Sequence, residues 1–251
     1  AISEAEVAVT FNKGVVTGTQ LEKLVIVNGK GTNSRDAIAE QEFLASGEDN
    51  LAVVSTSPDE MAFWLYSSGT TGRPKGIVHL HHDMAYTVAS YADNILKLTP
   101  DDICYSVRKI FFAYGLGNAM SFPMSVGATT VLFDGRPTPD SVMEILAKYK
   151  PTIYYGVPTL YAAILAKPEY NRDAASPHLR LAVSAGEPLP AELGKKWEAR
   201  FGCPILDGVG STEMLHIYVS NTETELHYGT SGKPVPGYQI RLVDEQGNDI
   251  P

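Results

Sequence analysis

The chain has 251 residues, of which 44% are hydrophobic and 20% charged, a composition typical of a globular protein with a sizeable core. Its formal net charge is −9 and it carries no basic stripe, which argues against a nucleic-acid-binding protein. No apolar stretch approaches the roughly 18–20 residues of a membrane-spanning helix, and the acidic first residues are unlike a secretory leader. We therefore expect a cytoplasmic protein that binds neither nucleic acid nor a membrane.

The two cysteines support the same compartment. Cys104 and Cys203 are far apart and form neither a CxxC pair nor a metal-binding spacing. We expect both to be buried free thiols in a reducing cytoplasm.

Strands and helices alternate along the chain. Strands are predicted at residues 7–11, 24–27, 61–66, 103–107, 128–133, 152–155, 179–185 and 204–207. Several are apolar throughout, which is typical of strands covered on both faces. Helices are predicted at residues 34–44, 82–96, 139–150, 159–166 and 190–201. This order predicts an α/β fold of mainly parallel β-sheets flanked by helices.

The third helix has the clearest ends. Thr138 can cap it, Pro139 suits its first position, and Pro151 stops it. Its apolar residues recur at helical spacing: Val142, Ile145, Leu146 and Tyr149.

The chain divides into three regions by pattern. Residues 1–60 have weak strands and one helix and are predicted to flank a domain that begins earlier. Residues 61–236 are predicted to form the α/β core. Residues 237–251, in which Tyr238, Ile240 and Leu242 alternate like a strand, are predicted to start a truncated β-rich subdomain. Both ends look cut from a longer chain.

A loop rich in Ser, Thr and Gly follows the apolar strand at residues 63–66, which we expect to be buried. Residues 67–76 contain two Ser, two Thr, three Gly, Arg73 and Lys75. Glycines let backbone amides approach phosphate oxygens, hydroxyls add donors, and Lys75 adds a mobile positive charge. A Walker loop would open a helix, whereas Gly76 to His79 resembles a strand. The alternative is a flexible surface linker.

A second polar stretch combines glycines, hydroxyls and a carboxylate. Asp207 ends a short strand and is followed by Gly208, Val209, Gly210, Ser211, Thr212 and Glu213. Taken alone, this stretch could be a helix N-terminus with Ser211 as cap and Glu213 near the helix dipole.

The loop at residues 67–76 resembles the Ser-Ser-Gly-Thr-Thr-Gly-x-Pro-Lys-Gly motif of the adenylate-forming superfamily, which contains acyl- and aryl-CoA ligases, adenylation domains of peptide synthetases and luciferases. The resemblance extends from about residue 57 to the end of the chain. It implies the large N-terminal domain of such a ligase, in part. It also implies that the loop closes over the β- and γ-phosphates of ATP through Ser67, Ser68, Gly69, Thr70, Thr71, Gly72 and Lys75.

The same resemblance assigns the second stretch. Thr212 is expected to contact the α-phosphate, and Glu213 to bind the Mg²⁺ that bridges the phosphates; Mg²⁺ needs few protein carboxylates. The nucleotide is expected to contact Asp207 and Gly208, and also the Gly-Glu-Pro-like segment Ala185, Gly186, Glu187 and Pro188, which could otherwise be a simple β–α turn. Val209 departs from the aromatic residue usual in the family, so adenine cannot stack on a ring there.

The resemblance places the walls of an acyl pocket at Ala113, Tyr114, Gly115, Gly210, His216 and Ile217. These side chains suit a flat ring better than a long chain. The combination of Phe-Ala-Tyr-Gly at residues 112–115 with Thr-Glu-Met-Leu-His-Ile at residues 212–217 is most similar to benzoate–CoA ligases. Two alternatives stay open: residues 111–117 could be core packing, and His216 could be a satisfied core histidine. His79, His81 and His82 are interpreted as polar residues at a helix start rather than as metal ligands.

The implied reaction converts an aromatic carboxylic acid and ATP into acyl-AMP and pyrophosphate. The thiol of coenzyme A then attacks acyl-AMP to give acyl-CoA and AMP. A homodimer is left open. The family's ribose-binding Thr-Gly-Asp motif, hinge and small C-terminal lid domain with its lysine are expected beyond residue 251, so the chain alone should be nearly inactive. Two alternatives remain: an aryl-acid adenylation domain that loads a carrier protein, and a non-catalytic acyl-adenylate-binding module.

Overall fold

The structure, a computed structural model, describes residues 2–4, 24–27, 37–67 and 73–250. The chain divides into two compact units, residues 1–55 and 56–251. The predicted strand at residues 7–11 and most of the Ser/Thr/Gly-rich loop, residues 68–72, lie outside the described residues. The three regions predicted from the sequence, residues 1–60, 61–236 and 237–251, remain a prediction.

The first unit contains a small parallel sheet with the strand order β1 (Ile2–Glu4), β2 (Leu24–Val27) and β3 (Ala37–Ala39), followed by helix α1 (Glu40–Ala45). The helix predicted from residue 34 therefore begins later. Residues 37–39 pair with β2 instead, and this pairing outweighs the modest intrinsic helix preference of alanine.

The second unit begins with an antiparallel hairpin of β4 (Met61–Ser67) and β5 (Lys75–Leu80). The strand predicted to leave the loop is thus confirmed. The prediction that the entering strand is buried is wrong, because Trp64 and Tyr66 are 58% and 74% exposed. Residues 63–66 are uniformly apolar, so the sequence does not reveal that only one face of the hairpin is covered.

Seven strands form the main sheet, and in chain order they are β6 (Ile103–Ser106), β7 (Thr129–Val131), β8 (Ile153–Gly156), β9 (Leu181–Ala185), β10 (Ile205–Gly210), β11 (Ile217–Ser220) and β12 (Lys233–Pro234). Their order across the sheet is β12-β11-β10-β9-β8-β6-β7. The five strands from β10 to β7 run parallel, while β11 and β12 add antiparallel pairs at one edge. This arrangement confirms the predicted α/β class with a mainly parallel sheet.

Helices cover both faces of the main sheet. Tyr105 and Tyr154 point into one core, whereas their neighbours Cys104 and Tyr155 point into the other. Both faces are therefore buried, which explains why the strands are apolar throughout. The helices are α2 (His81–Thr87), which continues as the π-helix Val88–Leu96, α3 (Ala113–Leu116), the π-helix Gly117–Ser121, α4 (Phe122–Val126), α5 (Pro139–Tyr149), α6 (Pro158–Leu165) and α7 (Ala191–Phe201).

Local predictions in the core mostly hold. Thr138 caps α5 by accepting a hydrogen bond from the backbone N–H of Ser141 at 3.2 Å. Cys104 and Cys203 are buried free thiols, as predicted. Tyr149, however, is 46% exposed and does not belong to the buried face of α5.

The strand expected in the last region is not formed. Among the described residues, 238–242 have no strand partner, and the only pairing nearby is an isolated bridge between Val243 and Asp249. Asp244 closes this bridge as a local turn by accepting from the backbone N–H groups of Gln246 and Asn248.

A buried ion pair lies at the amino ends of the parallel strands. Asp102, which is 3% exposed, accepts two hydrogen bonds of 2.9 Å from Arg180 and one of 2.6 Å from Thr152. Burial by itself raises the pKa of Asp102, but hydrogen bonds from Arg180, Thr152 and Thr99 outweigh it and lower the pKa to about 2. Each of these residues lies just before a strand or in the loop that leads to one, so the network joins β6, β8 and β9.

Candidate functional site

The candidate site lies at the opposite, carboxyl ends of the parallel strands. The turn between β10 and β11 carries residues 211–216, and β11 approaches β10 very closely there. A Cβ atom at Gly208 would lie 2.6 Å from the Ile217 side chain, and one at Gly210 would lie 2.8 Å from the carbonyl oxygen of His216. Glycines are therefore needed at both positions for this turn to form.

The turn is irregular, with no helix in residues 211–216. Ser211 accepts from the backbone N–H of Met214 at 3.3 Å, and Thr212 accepts through its carbonyl from Leu215 at 3.2 Å. Leu215 is buried with a φ of 62°, a costly conformation for a residue with a side chain. The alternative of a helix capped by Ser211 is therefore wrong.

A cavity of about 450 Å³ opens beside this turn. It brings together residues that come from three separate parts of the sequence, 108–114, 185–186 and 210–217. Its lining includes Arg108, Phe112, Ala113, Tyr114, Ala185, Gly186, Gly210, Ser211, Thr212, His216 and Ile217. The predicted acyl wall, part of the predicted nucleotide segment and Thr212 thus share one space.

One wall of this cavity is aromatic and uncharged. The rings of Tyr114 and His216 lie 5.5 Å apart, and the Tyr114 hydroxyl donates to the carbonyl of Val183 at 3.2 Å. Burial lowers the pKa of His216 to about 3, so its imidazole is neutral. Its Nε2 lies 3.0 Å from Oδ1 of buried Asn118, while Nδ1 has no partner among the described residues. His216 therefore combines features of both interpretations that the sequence left open.

Two buried polar atoms near the ends of β9 and β10 are unsatisfied. Among the described residues, neither Oγ of Ser184 nor Oδ1 of Asp207 has a hydrogen-bond partner. Burial raises the pKa of Asp207 to about 6, and the nearby Ser184 hydroxyl and Leu189 N–H lower it only in part, since neither has hydrogen-bonding geometry to Oδ1. Buried acceptors without partners in a native protein usually mark a place for a ligand or water. An amino group of a nucleotide base is a donor of the required kind, so these residues fit a nucleotide.

Glu213 points away from the main cavity and lines a neighbouring one of about 250 Å³. Its side chain is exposed and forms no ion pair with the described residues. A solvated carboxylate next to a phosphate-sized space fits Mg²⁺, which keeps most of its water and takes other oxygens from its substrate.

Several predicted site residues lie outside the main cavity. Gly115 is buried in α3, where a Cβ atom would lie 2.0 Å from the carbonyl oxygen of Lys109, so it shapes the backbone rather than the lining. Glu187 and Pro188 are exposed beyond Gly186. Ser67 and Lys75 end and begin the hairpin strands, and Ser68, Gly69, Thr70, Thr71 and Gly72 lie outside the described residues.

Sequence reasoning missed three lining residues and one buried contact. Arg108, Phe112 and Ser211 line the cavity, and each is next to or near a residue that was predicted. Their proximity to Ala113 and Thr212 was the available signal. His79 was interpreted as part of a helix start, but α2 begins at His81 and His79 is a buried residue of β5.

Within the described parts of the chain, no helix has both the length and the apolar character that crossing a membrane requires.

Comparisons with known proteins agree with this geometry. The chain is 52% identical over 230 residues to the benzoate–CoA ligase of Thauera aromatica, which covers 92% of this chain and 42% of the relative. It is 49% identical over 207 residues to a 4-hydroxybenzoate–CoA/benzoate–CoA ligase of Rhodopseudomonas palustris, covering 82% of this chain and 38% of the relative. A crystal structure of an anthranilate–CoA ligase in complex with anthranoyl-AMP superposes with a TM-score of 0.92 at 36% identity, over 100% of this chain and 48% of that one.

The chain spans less than half the length of these relatives. The profile of the AMP-binding enzyme family, in contrast, matches all of residues 1–251. The chain therefore belongs to the family of AMP-binding enzymes.

Proposed function

We propose that this chain is the nucleotide- and acid-binding part of an AMP-forming ligase that joins an aromatic carboxylic acid, benzoate or a close analogue, to coenzyme A. The observation that carries this proposal is the cavity of about 450 Å³ that joins an aromatic wall to Thr212. The three relatives described above are named for benzoate, 4-hydroxybenzoate or anthranilate, which are all aromatic acids.

The shape and charge of the cavity support an aromatic acid. Phe112, Tyr114 and His216 surround a short space, and neutral His216 adds no charge near a bound ring. A ring can stack against these side chains, while its carboxylate faces Thr212 and Gly210 at the other side.

The first half-reaction depends mainly on positioning and charge. In the proposal, Asp207 and the segment from Ala185 to Gly186 hold the nucleotide base, and Thr212 donates to the α-phosphate that the carboxylate attacks. Glu213 holds Mg²⁺, which when bound neutralises phosphate charge. The loop of residues 67–76, with Lys75, surrounds the leaving pyrophosphate. Such placed donors and charges lower the barrier without reorganisation during the reaction.

The test is ATP–pyrophosphate exchange by the protein in its full native length, with a panel of acids. We expect exchange with benzoate, 4-hydroxybenzoate or anthranilate, and at least tenfold less with a long-chain fatty acid. A preference for the fatty acid would overturn the aromatic substrate and leave the family assignment intact.

The two buried free thiols support a reducing, cytoplasmic location for the protein.

Coenzyme A is favoured over a carrier protein because the two relatives described above, at 52% and 49% identity, are named as CoA ligases. A relative from Mycobacterium tuberculosis, 39% identical over 194 residues, is named as a p-hydroxybenzoic acid–AMP ligase. Its name includes no coenzyme A, so a carrier protein is kept as the alternative acceptor. Thioester formation with free coenzyme A, measured by mass spectrometry after the exchange assay, separates the two. Accumulation of aryl-AMP without a CoA thioester would favour the carrier.

A further inference from the structure

A buried histidine connects two parts of the site that are far apart in sequence. Nε2 of His79 lies 2.9 Å from the carbonyl oxygen of Thr212, 133 residues away. A carbonyl oxygen can only accept, so the Nε2–H group is the donor. His79 is 1% exposed, which shields this hydrogen bond from water and makes its loss costly.

The other side of the ring is held as well. Nδ1 of His79 lies 3.0 Å from Oδ2 of Asp83, and the same carboxylate oxygen accepts from the backbone N–H of Leu80 at 3.0 Å. The ring also packs against Phe63, with 5.2 Å between the ring centroids. A carboxylate on one nitrogen that orients the ring for a contact at the other is a recurring device in catalytic and metal sites.

The position of His79 on β5 gives this contact its meaning. Side chains alternate along a strand, so Lys75, Ile77 and His79 share one face of the hairpin. Lys75 begins β5 at the end of the proposed phosphate loop, and His79 lies about 13 Å further along the same strand. The residue that His79 contacts is directly followed by Glu213.

We propose that His79, oriented by Asp83, is a positioning residue that holds the Thr212–Glu213 turn against the strand that carries Lys75. This inference rests on the proposed function, because it concerns the same phosphate and Mg²⁺ site. The turn needs such support, since Leu215 holds it in a costly backbone conformation and Glu213 itself has no partner among the described residues. Without His79, the Thr212 carbonyl would keep only the hydrogen bond from the Leu215 N–H within the turn, and the Glu213 carboxylate would be less well placed for Mg²⁺·ATP.

Two substitutions at His79 separate positioning from simple packing. In His79→Gln, the side-chain amide can place an N–H near the position of Nε2 and keep the bond to Thr212. In His79→Asn, the shorter amide reaches only toward Asp83. Both variants remove the ring and its contact with Phe63, so they should lose similar stability. The difference between them isolates the contact with the Thr212 carbonyl.

The experiment uses the full-length protein and three readouts. These are kcat and KM for Mg²⁺·ATP in benzoate-dependent pyrophosphate exchange, the Mg²⁺ concentration for half-maximal exchange, and the Kd of Mg²⁺·ATP by calorimetry. We expect His79→Asn to weaken Mg²⁺·ATP binding about tenfold and kcat by a further factor of about ten, with a raised Mg²⁺ requirement. His79→Gln should stay within about threefold of the wild type. His178→Gln, which alters an exposed histidine that lines neither cavity, should leave all three readouts unchanged.

The outcomes separate this inference from the proposed function. Equal effects of His79→Asn and His79→Gln on binding and exchange would assign His79 a merely structural role and overturn the inference. Wild-type values for His79→Asn would overturn it as well. If the wild-type protein binds no Mg²⁺·ATP and catalyses no exchange with any acid, the proposed function fails and the inference fails with it.

Discussion

The two ends of the parallel sheet treat buried polar groups in opposite ways. At the amino end, Asp102 is paired with Arg180 and hydrogen-bonded to Thr152, and this network lowers its pKa. At the carboxyl end, Asp207 and Ser184 each bury an atom without a partner, and the pKa of Asp207 is raised. A satisfied network stabilises the fold, whereas unsatisfied groups cost stability and leave hydrogen bonds to be made with a ligand. Substitutions should therefore lower stability at the amino end, whereas at the carboxyl end they should weaken ligand binding or raise stability.

The largest effect is expected from Glu213→Gln at the carboxyl end. Loss of the proposed Mg²⁺ ligand should reduce pyrophosphate exchange on the order of 10²-fold, as removal of a single placed charge-stabilising group often does. The melting temperature should hardly change, because the side chain is exposed and has no ion pair with the described residues. Glu225→Gln, which alters an exposed ion pair with Lys233, is the control and should retain activity. Unchanged Mg²⁺·ATP binding by Glu213→Gln would argue against the metal role.

At the amino end, Asp102→Asn should destabilise the fold by about 2–3 kcal/mol at pH 7 without changing KM for ATP. The folded pKa of about 2 lies below the unfolded value, so the ionised carboxylate stabilises the fold above about pH 4 and this contribution is lost as the pH falls toward 2. Urea unfolding at pH 7 and at pH 3 measures the difference. Asp249→Asn, in an exposed ion pair with Arg241, should change the free energy of unfolding by less than about 0.5 kcal/mol.

Asp207→Asn should have the opposite sign. The folded pKa of about 6 lies above the unfolded value, so ionised Asp207 destabilises the fold, and this penalty grows as the pH rises from about 4 through 6. The variant should be more stable than the wild type by about 2–3 kcal/mol at pH 8 and no different near pH 4. Thermal melts at both pH values test this, with exposed Asp101→Asn as a control. Equal melting temperatures at pH 8 would remove the contrast between the two ends.

The smallest effect is expected from a pair of buried serines. Ser176, beside the amino end, donates to the carbonyl of Pro151 at 2.8 Å, whereas Ser184 has no partner among the described residues. Ser176→Ala should cost about 1 kcal/mol in the free energy of unfolding, and Ser184→Ala should cost less than about 0.5 kcal/mol. If Ser184→Ala is the more destabilising of the two, the carboxyl end is not the unsatisfied one.

The sequence predicts the main sheet well because strands that are buried on both faces are apolar at nearly every residue. Strand β9, for example, is buried at every residue from Leu181 to Ala185 and is apolar at all but one. The same rule fails for β4, where Trp64 and Tyr66 are as apolar as their partly buried neighbours Phe63 and Leu65 but face outward. Period-2 alternation disappears when both faces carry large apolar side chains, so sequence cannot tell a covered face from an uncovered one.

The site was predictable where it consists of consecutive residues and not where it depends on contacts across the fold. Thr212, Glu213, Tyr114 and His216 were expected through the family resemblance of the stretches that contain them, and three of the four, all but Glu213, line one cavity. The contact of His79 joins β5 to the turn after β10, between residues 133 positions apart in sequence, and no local pattern encodes it. The orientation of Glu213 toward a separate small space, away from Thr212, likewise depends on the irregular turn that Leu215 closes.

The chain has two tryptophans, one in the hairpin of β4 and β5 and one in the core beside the main sheet, so each of these parts has its own fluorescence signal. Trp197 is fully buried and stacks on Phe201 with 4.0 Å between the ring centroids, so its emission should be blue-shifted and should report global unfolding. Trp64 lies on the exposed face of the hairpin that leads into residue 67, where the Ser/Thr/Gly-rich loop begins, and its emission should be red-shifted and quenched by acrylamide. In a Trp197→Phe background, the remaining fluorescence would follow the hairpin during nucleotide binding, on the millisecond timescale of a stopped-flow instrument.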